Sequence, residues 1–286
     1  MEKKDGRFLK ALKMERPLQI IGVPNALSAR MAEKAGYKAI YLSGSLISGL
    51  LHALPDLGIL DFKEFLFQAE KITDSTDVPL LLDIDTGFGG PLFIERVAKK
   101  LTQAKVAAVH IEDQIVEKKC GHLEGKKVIS SKEMGQKIKA LKEGSASSDF
   151  FIVARTDALN LEPFENVVLR CRHYIESGAD MIFLEAARDL KTYSDFKKAC
   201  PAFLLANLTE FGKTPLFKKE DLAKSGVDAI LYPLTLMRLM NKTVEKSLKW
   251  LKENESQESL VDQMQTRKEF YELIEYEDYE KRSYLK

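Results

Sequence analysis

Apolar residues along this chain gather in short runs. Eight such runs predict buried strands at 19–23, 39–42, 80–84, 107–111, 151–154, 181–184, 203–206 and 229–231. Between most of them apolar positions return at helical spacing, most clearly at 93–103, 132–142, 164–177 and 234–252. Strands each followed by helical sequence predict an α/β protein built as a (β/α)8 TIM-type barrel. A doubly wound open sheet is the alternative, although no glycine-rich dinucleotide fingerprint follows the first strand, where Val23-Pro24-Asn25 stands instead.

Polar residues cluster where these strands should end: Asn25, Ser43, Ser45, Asp83, Asp85, Glu112, Asp113, Arg155, Asp157, Glu185, Asn207, Thr209 and Tyr232. In barrel enzymes chemistry sits on that rim. Strand ends also meet water, which accounts for part of the pattern. It does not account for two acids inside Leu80-Leu81-Leu82-Asp83-Ile84-Asp85, whose burial is costly without partners. Two long loops, 44–58 and 114–131, have the length of lids. Past the last unit, 253–259 reads as a linker, 261–274 as a helix, and the end as a charged tail. The expectation is a single barrel domain over 1–286, with 253–286 a helical extension that packs on the barrel or on a neighbouring subunit.

Composition narrows the function. The 286 residues carry 44 basic and 43 acidic side chains, a net charge of +1, which argues against a nucleic-acid footprint. Cysteines at 120, 171 and 200 form no CxxC and point to a reducing, cytoplasmic compartment. Residues 1–13 lack an apolar signal core, and no stretch has the ~20 apolar residues of a membrane span.

Candidate chemistry centres on Lys118-Lys119-Cys120-Gly121-His122. A thiol among polar neighbours faces water or a ligand and can exchange a proton, and the flanking lysines favour its thiolate. Asp83 and Asp85, two apart on a strand, share a face and make a hard-oxygen site suited to Mg²⁺ or Mn²⁺. Asp56 and Glu112 would hold that metal's waters. The competing reading is a charge pair that caps a loop or bonds Arg155. Arg155 and Arg238, with Asn207, Thr209, Ser43 and Ser45, would receive a small polyanionic acid, although each arginine alone reads as a structural ion pair. His122 is a candidate site residue. His110 either orients a metal-bound water or fills the interior. His52, His173, Cys171 and Cys200 read as structural. The absence of a lysine at a predicted strand end disfavours a Schiff base, and the lack of a Gly-x-Ser-x-Gly elbow disfavours a serine hydrolase.

Leu82-Asp83-Ile84-Asp85-Thr86-Gly87-Phe88-Gly89, His110-Ile111-Glu112-Asp113-Gln114, the cysteine run and Val153-Ala154-Arg155-Thr156-Asp157-Ala158 resemble the isocitrate lyase and phosphoenolpyruvate mutase superfamily. The likeness extends from Tyr41-Leu42-Ser43-Gly44 through Asn207-Leu208-Thr209-Glu210-Phe211-Gly212 to Met264-Gln265-Thr266-Arg267, nearly the whole chain, and is strongest to its 2-methylisocitrate lyase branch. The resemblance implies a homotetramer of barrels that exchange the helix after the eighth strand. It also implies a Mg²⁺-dependent cleavage of 2-methylisocitrate to pyruvate and succinate, in propionate breakdown. It assigns the metal to Asp83 and Asp85, with Asp56 and Glu112 outside them. Ser43, Gly44, Ser45, Gly121, His122, Arg155, Glu185, Asn207, Leu208, Thr209, Arg238 and Arg267 become substrate-binding. Cys120 becomes the acid that protonates the succinate-side carbanion, and Tyr41 a candidate base. Lys119, Ser45 and Leu184 stand where that branch usually has Arg, Gly and Pro. Lys at 119 is the residue of isocitrate lyases proper, so an isocitrate lyase-like or other carbon–carbon lyase is the alternative. A non-catalytic carboxylate-binding barrel is a remote third, and the intact Cys120, Asp83 and Asp85 argue against it.

Overall fold

A computed structural model describes residues 6–145 and 149–283; the outermost ends of the expected domain lie outside the described residues. The chain opens with α1 (Arg7–Met14) and β1 (Leu18–Gly22). Next come α2 (Ala26–Lys34), β2 (Ala39–Leu42), the single turn α3 (Gly44–Leu46), α4 (Phe62–Thr73) and β3 (Leu80–Asp83). The series continues with α5 (Pro91–Gln103), β4 (Ala108–Glu112), α6 (Ser131–Ser145), β5 (Phe151–Thr156), α7 (Phe164–Glu176) and β6 (Met181–Leu184). It finishes with α8 (Leu190–Ala199), β7 (Phe203–Asn207), α9 (Lys219–Lys224), β8 (Ala229–Tyr232) and the long α10 (Thr235–Asn254). All strand pairs are parallel and sequential, and β1 also pairs with β8, Ile20 opposite Leu231, which closes the barrel and rules out the open sheet. Strand positions match the apolar runs to within one or two residues.

Each strand is buried on both faces. Ile21, Ile40, Leu82, Val109, Ile152 and Ile182 point outward into the layer of helices. Ile20, Tyr41, Leu81, Val153, Phe183 and Leu231 point inward and fill the barrel. Helix starts follow local chemistry: Asp61 and Glu64 form a reciprocal cap on α4, and Pro91 occupies the first turn of α5.

Helix α1 lies in the N-terminal segment that reads only as lacking a signal core. Its Phe8, Ala11 and Leu12 are buried with the inner residues of the barrel, and Phe8 packs on Phe151 with ring centroids 5.0 Å apart. Phe151 begins β5, so α1 closes the N-terminal mouth. At the other end of the chain, the stretch read as one helix over 261–274 divides between a 3₁₀ segment (Glu258–Gln263) and α11 (Arg267–Leu273), and a further helix, α12 (Tyr276–Ser283), forms in the stretch read as a charged tail. A reciprocal cap between Thr266 and Glu269 sets the start of α11. Among the described residues no helix is long and apolar enough to cross a membrane.

Candidate active site

The two-residue period of the strands that fills the barrel also builds the site. Continuing inward positions upward gives Leu81–Asp83, Ala108–His110–Glu112, Val153–Arg155, Phe183–Glu185 and Leu205–Asn207, apolar below and polar at the C-terminal rim. Register sets neighbours side by side: Asp83 beside His110, and Glu112 beside Arg155. Asp83, Glu112, Arg155, Glu185 and Asn207 border a cavity of about 110 Å³, which Ser43, Ser45, Asp56, Lys118–His122 and Thr209 complete, while His110 is buried beneath it. Phe183, Leu231, Pro233 and Leu234 give it an apolar wall.

One end of the cavity is acidic. Asp83 accepts the Gly44 amide at 2.9 Å and lies 3.1 Å from His110 Nε2. Burial alone would raise its pKa, but His110, Lys118 and the Gly44 amide outweigh that and hold the carboxyl well below its ordinary value. Asp85 follows in a left-handed conformation (φ 48°) and its amide bonds Asp83 Oδ1 at 3.0 Å. Burial, with Asp83 and Asp56 adding, pushes Asp85 up to about 7 despite Lys118. Burial also pushes Glu112 well above its ordinary value, against Arg155 and Lys118. The Lys118 ammonium lies 2.5 Å from Asp85 and 2.6 Å from Asp56. Four acids thus surround the buried Lys118 ammonium, and Glu112 Oε1 has no hydrogen-bond partner among the described residues. Oxygen donors of this kind suit a hard divalent cation, although with Lys118 between Asp56 and Asp85 no three acidic, histidine or cysteine side chains among the described residues come together as a ligand cluster.

The Tyr41 phenol is buried, 2.7 Å from His110 Nε2 and 3.3 Å from Asp83 Oδ2. Burial and the Asp83 charge push its pKa well above that of a free phenol.

The other end carries the cavity's further cations, Arg155 and Lys119, with acids set against Arg155. Arg155 is held by Asp157 (Nε to Oδ2, 2.8 Å) and lies 3.3 Å from Glu112. Glu185 lies 2.9 Å from His122 Nε2 and accepts from Asn207 at 3.2 Å. Burial raises the Glu185 pKa, but Arg155 and His122 outweigh it and hold it at about 2. The loop over the site is pinned at several points. Gln114 bonds both backbone groups of Lys119, Lys213 N donates to His122 Nδ1 at 2.8 Å, and Lys126 reaches Gly121 O at 2.6 Å. Cys120 is exposed at the cavity, as the polarity of its run predicts.

Most of the sequence-derived site residues meet at this cavity, but some do not. Asp85 lies behind Lys118 and borders a neighbouring hollow with Phe62 and Phe88, and Gly44 packs against Asp83 and Asp85 without lining the cavity. Arg238 is turned away, 3.4 Å from Glu210 and stacked over the Phe211 ring. Arg267 lies on α11, beside a separate groove with Tyr271 and Tyr276. The Leu208 side chain is buried in the outer core. Asn25 caps α2 by accepting from Ser28 N, and Tyr232 packs outward, near Gln19. Asp113 also points outward, accepting from Thr156 Oγ1 and Tyr174 at 2.7 Å each. Lys118 serves the acids instead of the thiol. Spacing does not single out the Lys126 tether, whereas the inward period of β6 and β8 is a signal for Phe183 and Leu231 in the apolar wall.

A closed parallel barrel whose rim joins an acid cluster to a cationic pocket under a cysteine-bearing loop defines a class of enzyme acting on small carboxylates. The phosphoenolpyruvate phosphomutase family model matches residues 8–252. A 2-methylisocitrate lyase from Vibrio cholerae is 46% identical over 280 residues, covering 96% of this chain and 91% of that protein. The crystal structure of 2,3-dimethylmalate lyase, a PEP mutase/isocitrate lyase superfamily member, superposes with a TM-score of 0.88 at 29% identity over 95% and 91% of the two chains. Phosphonopyruvate hydrolase, crystallised with oxalate and Mg²⁺, gives 0.83 at 26% identity, with 94% of each chain covered. This chain belongs to the phosphoenolpyruvate phosphomutase and isocitrate lyase superfamily.

Proposed function

We propose that this protein cleaves 2-methylisocitrate to pyruvate and succinate. The observation that carries the reading is the division of one small cavity into an acidic end, a cationic end and an apolar wall, with the Cys120 thiol at its edge. A tertiary 2-hydroxy acid bearing a methyl group and further carboxylates matches each part. The 46% identity to a 2-methylisocitrate lyase supports the same substrate.

Asp83 and Asp85, with Asp56 and Glu112 outside them, would hold Mg²⁺ or Mn²⁺. The ion would supply charge stabilisation at the hydroxyl and carboxylate of the pyruvate-forming half. Ser43, Gly44 and Ser45 border that half. Arg155, His122, Asn207, Thr209 and the Gly121 backbone bind and orient the succinate-forming half. Removal of the hydroxyl proton lets the carbon–carbon bond break. Its electron pair passes to the succinate-side carbon, and Cys120 Sγ–H returns one proton there. Tyr41 is the candidate base. Its raised pKa makes it a proton holder in the metal-free protein, and neutralising Asp83 removes one of the causes.

The reading extends to a cytoplasmic homotetramer. What supports self-association is α10, which buries no residue within one chain and exposes Leu239, Val244 and Leu248. Arg238 and Arg267 are proposed to join the site only in the closed oligomer. The deciding experiment incubates purified protein and Mg²⁺ with 2-methylisocitrate, isocitrate or oxaloacetate, with and without chelator. Metal-dependent pyruvate from methylisocitrate is expected; its absence sinks the proposal. One methyl group is worth about 1–3 kcal/mol, so some isocitrate cleavage is expected alongside.

A further inference from the structure

We propose that Lys126 is a positioning residue, whose ammonium joins the Gly121 carbonyl to the Asp157 carboxylate and so sets the thiol-bearing loop relative to Arg155. The kinetic part of this rests on the lyase reading; the structural part does not.

Lys126 belongs to the loop yet is 8% exposed, and a buried ammonium is costly unless fully paired. It has two short partners, Gly121 O at 2.6 Å and Asp157 Oδ1 at 2.8 Å. Asp157 is in turn anchored to the barrel, its amide donating to Asp113 Oδ1 at 2.9 Å. It also receives Arg155 through Nε at 2.8 Å and Nη2 at 3.2 Å. One carboxylate is therefore shared by a loop cation and a cavity cation. Moving either shifts the electrostatic and steric setting of the other.

Gly121 is gripped from two sides. Lys126 holds its carbonyl, and its Cα packs where a β-carbon would lie 2.6 Å from Arg155 Nη2. The Cys120 backbone is joined directly to this fixed point. Lys126 does not border the cavity, so it acts through Gly121 and Asp157. The neighbouring Lys127 is exposed and does not replace it.

The test uses the full-length protein with Lys126→Met and Lys126→Arg, and reads amide hydrogen exchange over 115–129 without ligand. Lys126→Met is expected to speed exchange there about tenfold, with β3 and α5 unchanged. With methylisocitrate and Mg²⁺, kcat is expected to fall about 10²-fold and KM to change less. Lys126→Arg should recover part of both effects. Wild-type exchange rates over 115–129 in Lys126→Met overturn the proposal whatever the turnover. If Lys126→Met does not fold, Lys126→Gln, which keeps a donor but no charge, decides by the same criterion. A wild-type protein without lyase activity would sink the functional reading and leave the exchange result to stand by itself.

Discussion

Gly121 and Glu185 meet through the side chain that the glycine lacks: a β-carbon on residue 121 would lie 2.5 Å from Glu185 Cγ and closer still to Oε1. Glu185 is fixed by Asn207 and His122 and has little room to yield. Gly121→Ala should therefore lift the loop off the site. We expect kcat/KM for methylisocitrate to fall about 10²-fold, with thermal stability nearly unchanged. Wild-type kinetics in this variant would show that the loop does not seat here during turnover.

Cys120→Ser replaces the thiol by a hydroxyl, a far weaker acid. Loss of a positioned acid costs about 10²–10⁴-fold. That loss should appear in kcat, with KM shifting only a few-fold, because the orienting groups remain. Steady-state kinetics check it, and unchanged turnover would remove the thiol from the mechanism.

Binding of Mg²⁺ to the native state should raise the thermal midpoint of the wild type, since a ligand at 100 times its Kd contributes about 2.7 kcal/mol. Asp83→Asn and Asp85→Asn should abolish the rise, and chelator should reverse it in the wild type. A midpoint that responds equally in all three proteins would place the ion elsewhere.

Glu185 predicts an acid-sensitive contribution to stability. Its folded pKa, about 2, lies below the ordinary 4.5. The folded state thus holds the charged form better than the unfolded state does. The contribution is full above about 4.5, shrinks as pH falls, and is gone below about 2. A shift of this size corresponds to roughly 3 kcal/mol at most. Urea midpoints of wild type and Glu185→Gln at pH 7, 4 and 3 measure it. The wild type should lose more between pH 4 and 3, and parallel curves would contradict the assignment.

Phe8→Ala should destabilise the protein by about 3–5 kcal/mol, because Phe8 is wholly buried against Phe151. Equilibrium urea unfolding reads this directly, and a loss under 1 kcal/mol would mean that α1 merely rests on the barrel.

The barrel was legible because its strands are buried on both faces and stand out as apolar runs. Asp83 was legible because a charge inside such a run needs a reason. Other features depend on contacts that spacing does not encode. Asn25, Asp113 and Tyr232 share the rim's polarity but point away from the cavity, and strand-end polarity cannot tell a cap from a ligand. Arg238 has a long side chain whose aim is decided by Glu210 and Phe211, residues that become its neighbours only in the fold. Lys118 adjoins the thiol in sequence, yet its flexible stem carries the charge to Asp56 and Asp85. Helix α1 is short and charged on one face, and its apolar face has meaning only against the mouth it closes.

With α1 plugging the N-terminal mouth and side chains filling the interior, the cavity is a cul-de-sac. Two fragments made from one molecule cannot leave by opposite doors. The one nearer the loops has to depart first, and the deeper one waits behind it, so traffic through the lid imposes an order on product release that the bond-breaking chemistry alone does not.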